Sequence, residues 1–379
     1  MNIKVLYILN SDVMGGATIS FLNMILGLRS EGIQPIVLLP TKKNSDELEE
    51  ILQKHQVEYQ RTYIVPSRIN KVNISNNVRW ITKYLYLPFQ KKKCQKEIER
   101  IVKTLNPDII HTNVGAIHEG FWVARKLNIP HIWHLREYQT KDFNWFIYPS
   151  VRSFKKILRQ SYVITITDDI RNYFGLWDWP KARTIYNGIF HKSEISFGMQ
   201  KEPYFLMASR VSKEKGHLDV IKAFSKFSRR DCYKLVIAGF GNEAFLGELE
   251  ATIRECGCEG RVELLGFQND VRSLMEKAKA LIVASYNEGF GRMTAEANFC
   301  GTMVIGRETA GTKEILTKTG GLFFNTIEEM TKKMEEVSNL SDEKYLMITK
   351  NAQKKATELF SIESNISNVL TLYESVLKK

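Results

Sequence analysis

Two glutamates eight positions apart, Glu288 and Glu296, flank a glycine turn in residues 281–296, where an apolar run breaks at Gly289 and Gly291 and resumes with helical spacing. That order predicts a strand, a tight turn and a helix N-terminus. Such a turn exposes backbone N–H groups and the positive end of a helix dipole, so it suits an anion such as phosphate. A carboxylate at the turn and another about two helical turns on then grip a polyhydroxylated ligand at two points, the sugar and the ribose of one sugar nucleotide. Any buried strand–helix unit with a glycine turn and two solvated glutamates shares this pattern, so distant motifs must supply the context.

One such motif is residues 204–224, a strand, a basic loop and an amphipathic helix. Arg210 offers a bidentate fork and Lys215, followed by Gly216, a point charge. Together they suit a diphosphate and stabilise negative charge growing on a leaving group without a metal; two basic loop residues alone are as often simply solvated. The strand ending in Gly239 and Gly241 admits close backbone approach to a ligand. Phe267, after Gly266 at the next strand end, suits a nucleobase or marks a plain turn. In the first half, Gly15-Gly16 follows the first strand without the three spaced glycines and downstream acid of a dinucleotide fingerprint, which counts against an NAD enzyme. It leaves room for a sugar or phosphate. His134 lies at another strand end, placed to hydrogen-bond a bound sugar or to serve the core, as His111, His118 and His131 equally can.

The elements that position these residues follow from the alternation of short apolar runs with amphipathic segments as far as about Asn325, the pattern of parallel sheets covered by helices on both faces. Strands are expected at 3–9, 35–39, 108–112, 130–134 and 161–167, then at 203–209, 233–238, 261–265, 279–284 and 302–306. Residues 187–203 lack periodicity, which divides the chain into domains 1–190 and 191–360. Residues 361–379 read as a terminal helix packing across the junction. Two doubly wound domains imply a ligand cleft between the carboxyl ends of two sheets.

With 379 residues, 44% apolar and 25% charged, the chain is long enough for two cores and reads as soluble. It has no apolar stretch of transmembrane length, and its N-terminus reads as a buried strand rather than a signal peptide. Five scattered cysteines, Cys94, Cys232, Cys256, Cys258 and Cys300, outline neither a disulfide framework nor a zinc site and fit a reducing cytoplasm. Of the net charge of +12, residues 1–190 carry +11. Residues 61–100 hold ten basic and two acidic side chains among Trp80, Tyr84, Tyr86 and Phe89, with Lys91, Lys92 and Lys93 in a row; Arg152, Lys155, Lys156 and Arg159 form a second cluster. Cations beside aromatics suit an anionic membrane surface, a nucleic acid or a solvated helix face. No nucleic-acid motif accompanies them.

Arg210 with Lys215-Gly216, Glu288-Gly289-Phe290-Gly291 with Glu296-Ala297, and Gly15-Gly16 with His134 together resemble the retaining glycosyltransferases of family four, also described as glycosyl transferases group 1, which have the GT-B fold of two Rossmann-like domains facing each other across a cleft. The resemblance covers nearly the whole chain in order and is strongest over residues 204–312. It implies that Arg210 and Lys215 bind the donor diphosphate, Glu288 contacts the donor sugar and Glu296 binds the ribose hydroxyls. Backbone at Phe290 and Gly291 helps hold the sugar or diphosphate, His134 sits near the transferred sugar, and Gly16 lines the approach. It further implies hexosyl transfer with retention, no metal and no cofactor beyond the donor, by front-face attack in which the leaving phosphate takes the acceptor proton. Arg292-Met293-Thr294 departs from the small or apolar residues common in relatives, and bears on sugar specificity. The expected acceptor is a lipid-linked saccharide in cell-surface polysaccharide assembly, met by a cytoplasmic enzyme peripheral to the inner membrane face. The rivals are a sugar-nucleotide epimerase or hydrolase of the same plan and a non-catalytic sugar-nucleotide-binding subunit.

Overall fold

A computed structural model describes residues 3–70, 77–143 and 145–378. The chain forms two compact units, Met1–Gly188 with Ile362–Lys379, and Ile189–Ser361.

The first unit contains strands β1 (Ile3–Ile8), β2 (Ile33–Pro40), β3 (Glu58–Thr62), β4 (Arg68–Asn70), β5 (Ile109–Thr112), β6 (His131–Leu135), β7 (Trp145–Ile147), β8 (Tyr162–Thr165) and β9 (Ala182–Thr184). Its helices are α1 (Gly16–Ser30), α2 (Glu47–Lys54), α3 (Asn77–Leu105), α4 (Glu119–Leu127), α5 (Thr140–Phe143), α6 (Val151–Leu158) and α7 (Asp168–Tyr173). Seven strands make one parallel sheet in the order β3-β2-β1-β5-β6-β8-β9, and β4 pairs antiparallel with β7. Alternation along β1 shows why the sheet is covered twice. Val5 and Tyr7 enter a core with α1 residues such as Phe21 and Ile25, whereas Leu6 and Ile8 enter a core with Ile98 and Ile101 of α3 and Val123 of α4. A strand buried on both faces reads as a continuous apolar run.

The second unit has strands β10 (Glu202–Ala208), β11 (Lys234–Ala238), β12 (Val262–Gly266), β13 (Ala278–Val283), β14 (Met303–Arg307) and β15 (Leu322–Phe324), in the parallel order β12-β11-β10-β13-β14-β15. Its helices are α8 (His217–Ser225), α9 (Glu243–Glu255), α10 (Val271–Lys277), α11 (Arg292–Phe299), α12 (Ala310–Thr319), α13 (Ile327–Ser338) and α14 (Asp342–Phe360). Strand order reverses between β10 and β13, which pair with Phe205 opposite Ala280. In open α/β sheets that switch point leaves a crevice at the carboxyl ends of the two strands.

The last helix, α15 (Ile362–Leu377), belongs to the first unit. Val369, Leu372, Tyr373 and Val376 complete the core beneath β1 and α1. A Cβ on Gly27 would lie 2.0 Å from Ile366 Cδ1, so any larger residue there forces the Ile366 side chain, packed between α1 and α15, to move.

Candidate functional site

The loops leaving β10 and β13 meet at the switch point of the second sheet. After β10 the chain runs through Ser209 and Arg210 into a short 3₁₀ turn, Lys213–Lys215, and then α8. Gly216 joins the two at φ 79°, and a Cβ there would sit 2.4 Å from Ala284 O, just past β13. The glycine therefore lets the basic loop press against the neighbouring strand end. Tyr286 N–H donates to Glu214 O at 3.0 Å and locks the loops together.

This contact brings Lys215 and Glu288, 73 positions apart, into an ion pair of 2.6 Å. Their side chains are 22% and 21% exposed. Ser285 Oγ donates to the same Glu288 oxygen at 2.8 Å, and Glu288 O accepts from Gly311 N–H at 2.9 Å, tying the turn to the start of α12. Phe290 is buried, its ring edge-on to Phe360 at 5.7 Å, and anchors the turn between Gly289 and Gly291. Gly291 caps α11 at φ 85°, a left-handed conformation that favours glycine. On the first turns of α11, Arg292 Nε donates to Glu296 Oε1 at 2.6 Å. Burial raises the Glu296 pKa above the usual carboxylate range while Arg292 opposes the shift. Arg210 makes a third, more exposed pair with Glu214 at 2.5 Å. Each predicted cation or carboxylate of this site thus already faces an opposite charge.

Gly239 makes its close approach to the chain itself, because a Cβ there would meet Ser209 O at 1.8 Å. Phe267 is exposed, and beside it stands the equally exposed Phe240 with ring centroids 6.4 Å apart. Phe240 had no sequence signal beyond its place between two glycines. Sequence reasoning also missed Thr294 and Thr312, fully buried with no hydrogen-bond partner for either hydroxyl among the described residues. Gly291 separates them, and a Cβ on it would contact both hydroxyls at 3.4 Å.

In the first unit, Gly15 is the extended N-cap of α1 and Gly16 its first residue; a Cβ on Gly15 would meet nothing within 4 Å. The loop before them is pinned by buried Asp12, which accepts from Arg61 Nη2 at 2.8 Å and from Asn44. Burial alone would raise the Asp12 pKa, but the bonds from Asn44 and Arg61 prevail and hold it at about 2. His134 is fully buried at the end of β6. Its Nδ1 lies 3.2 Å from His111 Nε2, and its Nε2 has no partner among the described residues. His131 is committed to Thr112 at 2.9 Å and Ser161 at 3.0 Å.

The basic aromatic stretch lies on α3, and its three lysines are not equivalent. Lys91 turns inward, 14% exposed, and pairs with buried Glu119 and with Ser67. Its membership of an exposed cationic row is corrected by the cost of leaving Glu119 buried without a partner. Lys92 and Lys93 are exposed. Tyr84 also turns inward, its ring 5.1 Å from that of Tyr148, and the side chain of Trp80 lies outside the described residues. Among the described residues, the exposed large apolar side chains of α3 include Ile81, Leu85, Tyr86 and Phe89.

No described helix is long and apolar enough to cross a membrane, and no three His, Cys, Asp or Glu side chains among the described residues cluster as metal ligands. The five cysteines are free.

A family model described as Glycosyltransferase Family 4 matches residues 14–192, and one described as Glycosyl transferases group 1 matches residues 191–355. The chain is 30% identical over 190 residues to the O-antigen chain mannosyltransferase RfbU of Salmonella typhimurium, covering 49% of this chain and 51% of that protein. Over 105 residues it is 34% identical to a Campylobacter jejuni enzyme, N-acetylgalactosamine-N,N'-diacetylbacillosaminyl-diphospho-undecaprenol 4-alpha-N-acetylgalactosaminyltransferase, 28% of each chain. The chain thus spans about half or less of these relatives. Among solved structures, Anabaena HepE in complex with UDP superposes with a TM-score of 0.79 at 20% identity, over 98% of this chain and 100% of that one.

Proposed function

Because the chain belongs to glycosyltransferase family 4, the glycosyl transferases group 1, and has the GT-B fold, we propose that it moves a sugar from a nucleotide donor to a lipid-linked saccharide, with retention of anomeric configuration and without a metal. The observation that carries this reading is the meeting of Lys215, Glu288 and the Gly289–Gly291 turn at one sheet switch point. On this reading, the diphosphate lies against Arg210, Lys215 and the N-terminus of α11, Glu288 holds a hydroxyl of the transferred sugar, and Glu296 the ribose. The exposed rings of Phe240 and Phe267 suit the base. Positive charge fixed beside the leaving diphosphate stabilises it as the glycosidic bond breaks, and a diphosphate oxygen takes the acceptor proton on the face where the new bond forms. His134 contacts the transferred sugar and Gly15 and Gly16 line its approach. The lipid-linked acceptor is supported by the diphospho-undecaprenol-linked saccharide on which the Campylobacter relative acts, and a UDP donor by the ligand of the similar Anabaena protein.

The acceptor is met at an anionic membrane surface on the cytoplasmic side. Ile81, Leu85, Tyr86 and Phe89 expose apolar area along α3, continued by Lys92, Lys93 and Lys96. Interfacial aromatics and cations, about 1 kcal/mol per cation, suit such a surface.

Calorimetry with UDP-, GDP-, ADP- and dTDP-sugars in chelator tests the donor site, with Arg210→Ala and Glu296→Ala as controls. One donor class bound, and weakened by both substitutions, is expected. Transfer to a diphospholipid-linked saccharide should then give a product with the donor's anomeric configuration by NMR. Turnover without acceptor would favour an epimerase or hydrolase, and binding without any turnover a non-catalytic subunit.

A further inference from the structure

Five buried side chains in the first unit form one hydrogen-bonded chain. Tyr7 Oη on β1 lies 3.0 Å from Tyr373 Oη on α15, and Tyr373 Oη lies 2.6 Å from His111 Nδ1 on β5. His111 Nε2 is 3.2 Å from His134 Nδ1 on β6, and Arg136 Nη2 stands 3.5 Å from that same Nδ1. Two asparagines hold the guanidinium in place: Arg136 Nε donates to Asn113 Oδ1 at 3.0 Å and Nη1 to Asn187 Oδ1 at 2.7 Å. Tyr7, Tyr373, His111 and His134 are fully buried and Arg136 is 6% exposed.

A row of phenols and neutral imidazoles can run in either direction, since each member can donate or accept. In one direction His134 carries its proton on Nδ1 and offers a lone pair at Nε2; in the other it carries the proton on Nε2. Arg136 breaks the symmetry. A guanidinium has donors only, so the nitrogen it faces must present a lone pair. His134 Nδ1 is then an acceptor, His111 Nε2 carries a hydrogen, and His111 Nδ1 accepts from Tyr373, which accepts from Tyr7. Burial and the charge of Arg136 also drive the pKa of both imidazoles well below the ordinary value, leaving them neutral.

We propose that Arg136, with His111 and Tyr373, is a positioning residue that fixes His134 as the Nε2–H tautomer, so that this histidine meets its ligand as a hydrogen-bond donor and never as a base. The ligand part of this inference rests on the reading of His134 as a contact of the transferred sugar. A fixed N–H donor suits a lone pair of a sugar hydroxyl. It cannot take the proton of the attacking acceptor, which leaves that proton to the departing diphosphate. The helix at the far end of the sequence thereby takes part in setting the polarity of a site residue through Tyr373.

The test is long-range proton–nitrogen NMR of the full chain labelled with nitrogen-15 histidine, with His111→Gln and His134→Gln supplying assignments. Both imidazoles are expected as neutral Nε2–H tautomers from pH 6 to 8. An Nδ1–H tautomer or an imidazolium at His134 in the unmodified chain overturns the proposal, whatever the variants do. Arg136→Met should mix the two tautomers; a folded Arg136→Met protein with an unchanged His134 pattern removes Arg136 as the determinant and also overturns it. In kinetics, His134→Gln keeps an N–H near the Nε2 position and should retain activity that His134→Phe loses by about tenfold, with the KM for the sugar nucleotide raised and the affinity for UDP alone unchanged. Equal losses in the two variants overturn the donor role. Failure to find any transfer would count against the functional reading alone, because the tautomer is read without turnover.

Discussion

With the proposed UDP-sugar donor, Glu288→Gln should move the affinities for UDP and for the UDP-sugar in opposite directions. Lys215 and Glu288 pair at 2.6 Å with about a fifth of each side chain exposed. Unit charges 4 Å apart attract by about 4 kcal/mol at an effective dielectric near 20; desolvation and side-chain ordering leave about 1 kcal/mol net. A diphosphate that engages Lys215 competes with that carboxylate. Neutralising it returns about 1 kcal/mol to diphosphate binding, or UDP about fivefold tighter. In the proposed binding mode the sugar loses a hydrogen bond to a charged group, about 1.5–3 kcal/mol; set against the roughly 1 kcal/mol returned to the diphosphate, the UDP-sugar should bind about twofold to thirtyfold more weakly. Lys215→Ala removes a charged donor to the diphosphate and should weaken both ligands by about tenfold or more. Calorimetry of the two ligands on the three proteins decides the matter. A Glu288→Gln protein that loses UDP affinity as steeply as Lys215→Ala refutes the competition on which this reasoning depends.

Lys91→Glu sets two buried carboxylates against each other and should cost about 3–5 kcal/mol of stability, seen as a lower midpoint in urea, whereas Lys92→Glu and Lys93→Glu leave the midpoint unchanged and weaken binding to anionic vesicles in low salt. Vesicle binding indifferent to the latter two, and to Leu85→Ser with Phe89→Ser, would remove α3 as a membrane face. Gly27→Val drives two methyl groups into Ile366 and should destabilise the first unit by about 1–3 kcal/mol in thermal melts; an unchanged melt would contradict the helix contact. Asp12, with its pKa depressed to about 2, contributes about 2 kcal/mol that is present above its unfolded value near 3.9 and lost as pH falls through about 2. Asp12→Asn should lower the urea midpoint at pH 6 and flatten its decline below pH 4, and a decline as steep as in the parent would show that the carboxylate plays no part.

How much of this was legible in the sequence varied with burial. β1, β2, β5, β6 and β8 and the strands β10–β14 all overlap the expected runs, most of them because strands covered on both faces must be apolar throughout; β12 is a partly exposed edge strand, read from its Val-Glu-Leu-Leu run. The edge strand β3, Glu-Tyr-Gln-Arg-Thr, carries no such pattern, and β4, β7, β9 and β15 have three residues each, too few to show a period. Of the site, the residue types at the ends of β10 and β13 were readable, because a polar residue after an apolar run marks a strand end. Their pairing was not. Lys215 meets Glu288 only because strand order reverses between β10 and β13, and Tyr373 reaches His111 across 262 positions through tertiary packing that no local spacing encodes. Lys91 illustrates the same limit: one lysine among three is drawn inward by Glu119, a residue on another helix.

The return of α15 to the first unit has a consequence for how the protein is made. A nascent chain emerges from its N-terminus, so the sheet of the first unit and the whole of the second are synthesised before Val369, Leu372, Tyr373 and Val376 exist to cover β1 and α1. Until then the first unit exposes part of its core, and its buried Tyr7 and His111 lack the phenol between them. The second unit is continuous and can close on its own during synthesis. Loss of the last turns by a premature stop would therefore injure the opposite end of the molecule in sequence, with the first unit aggregating while the second, complete from Ile189 to Ser361, still folds.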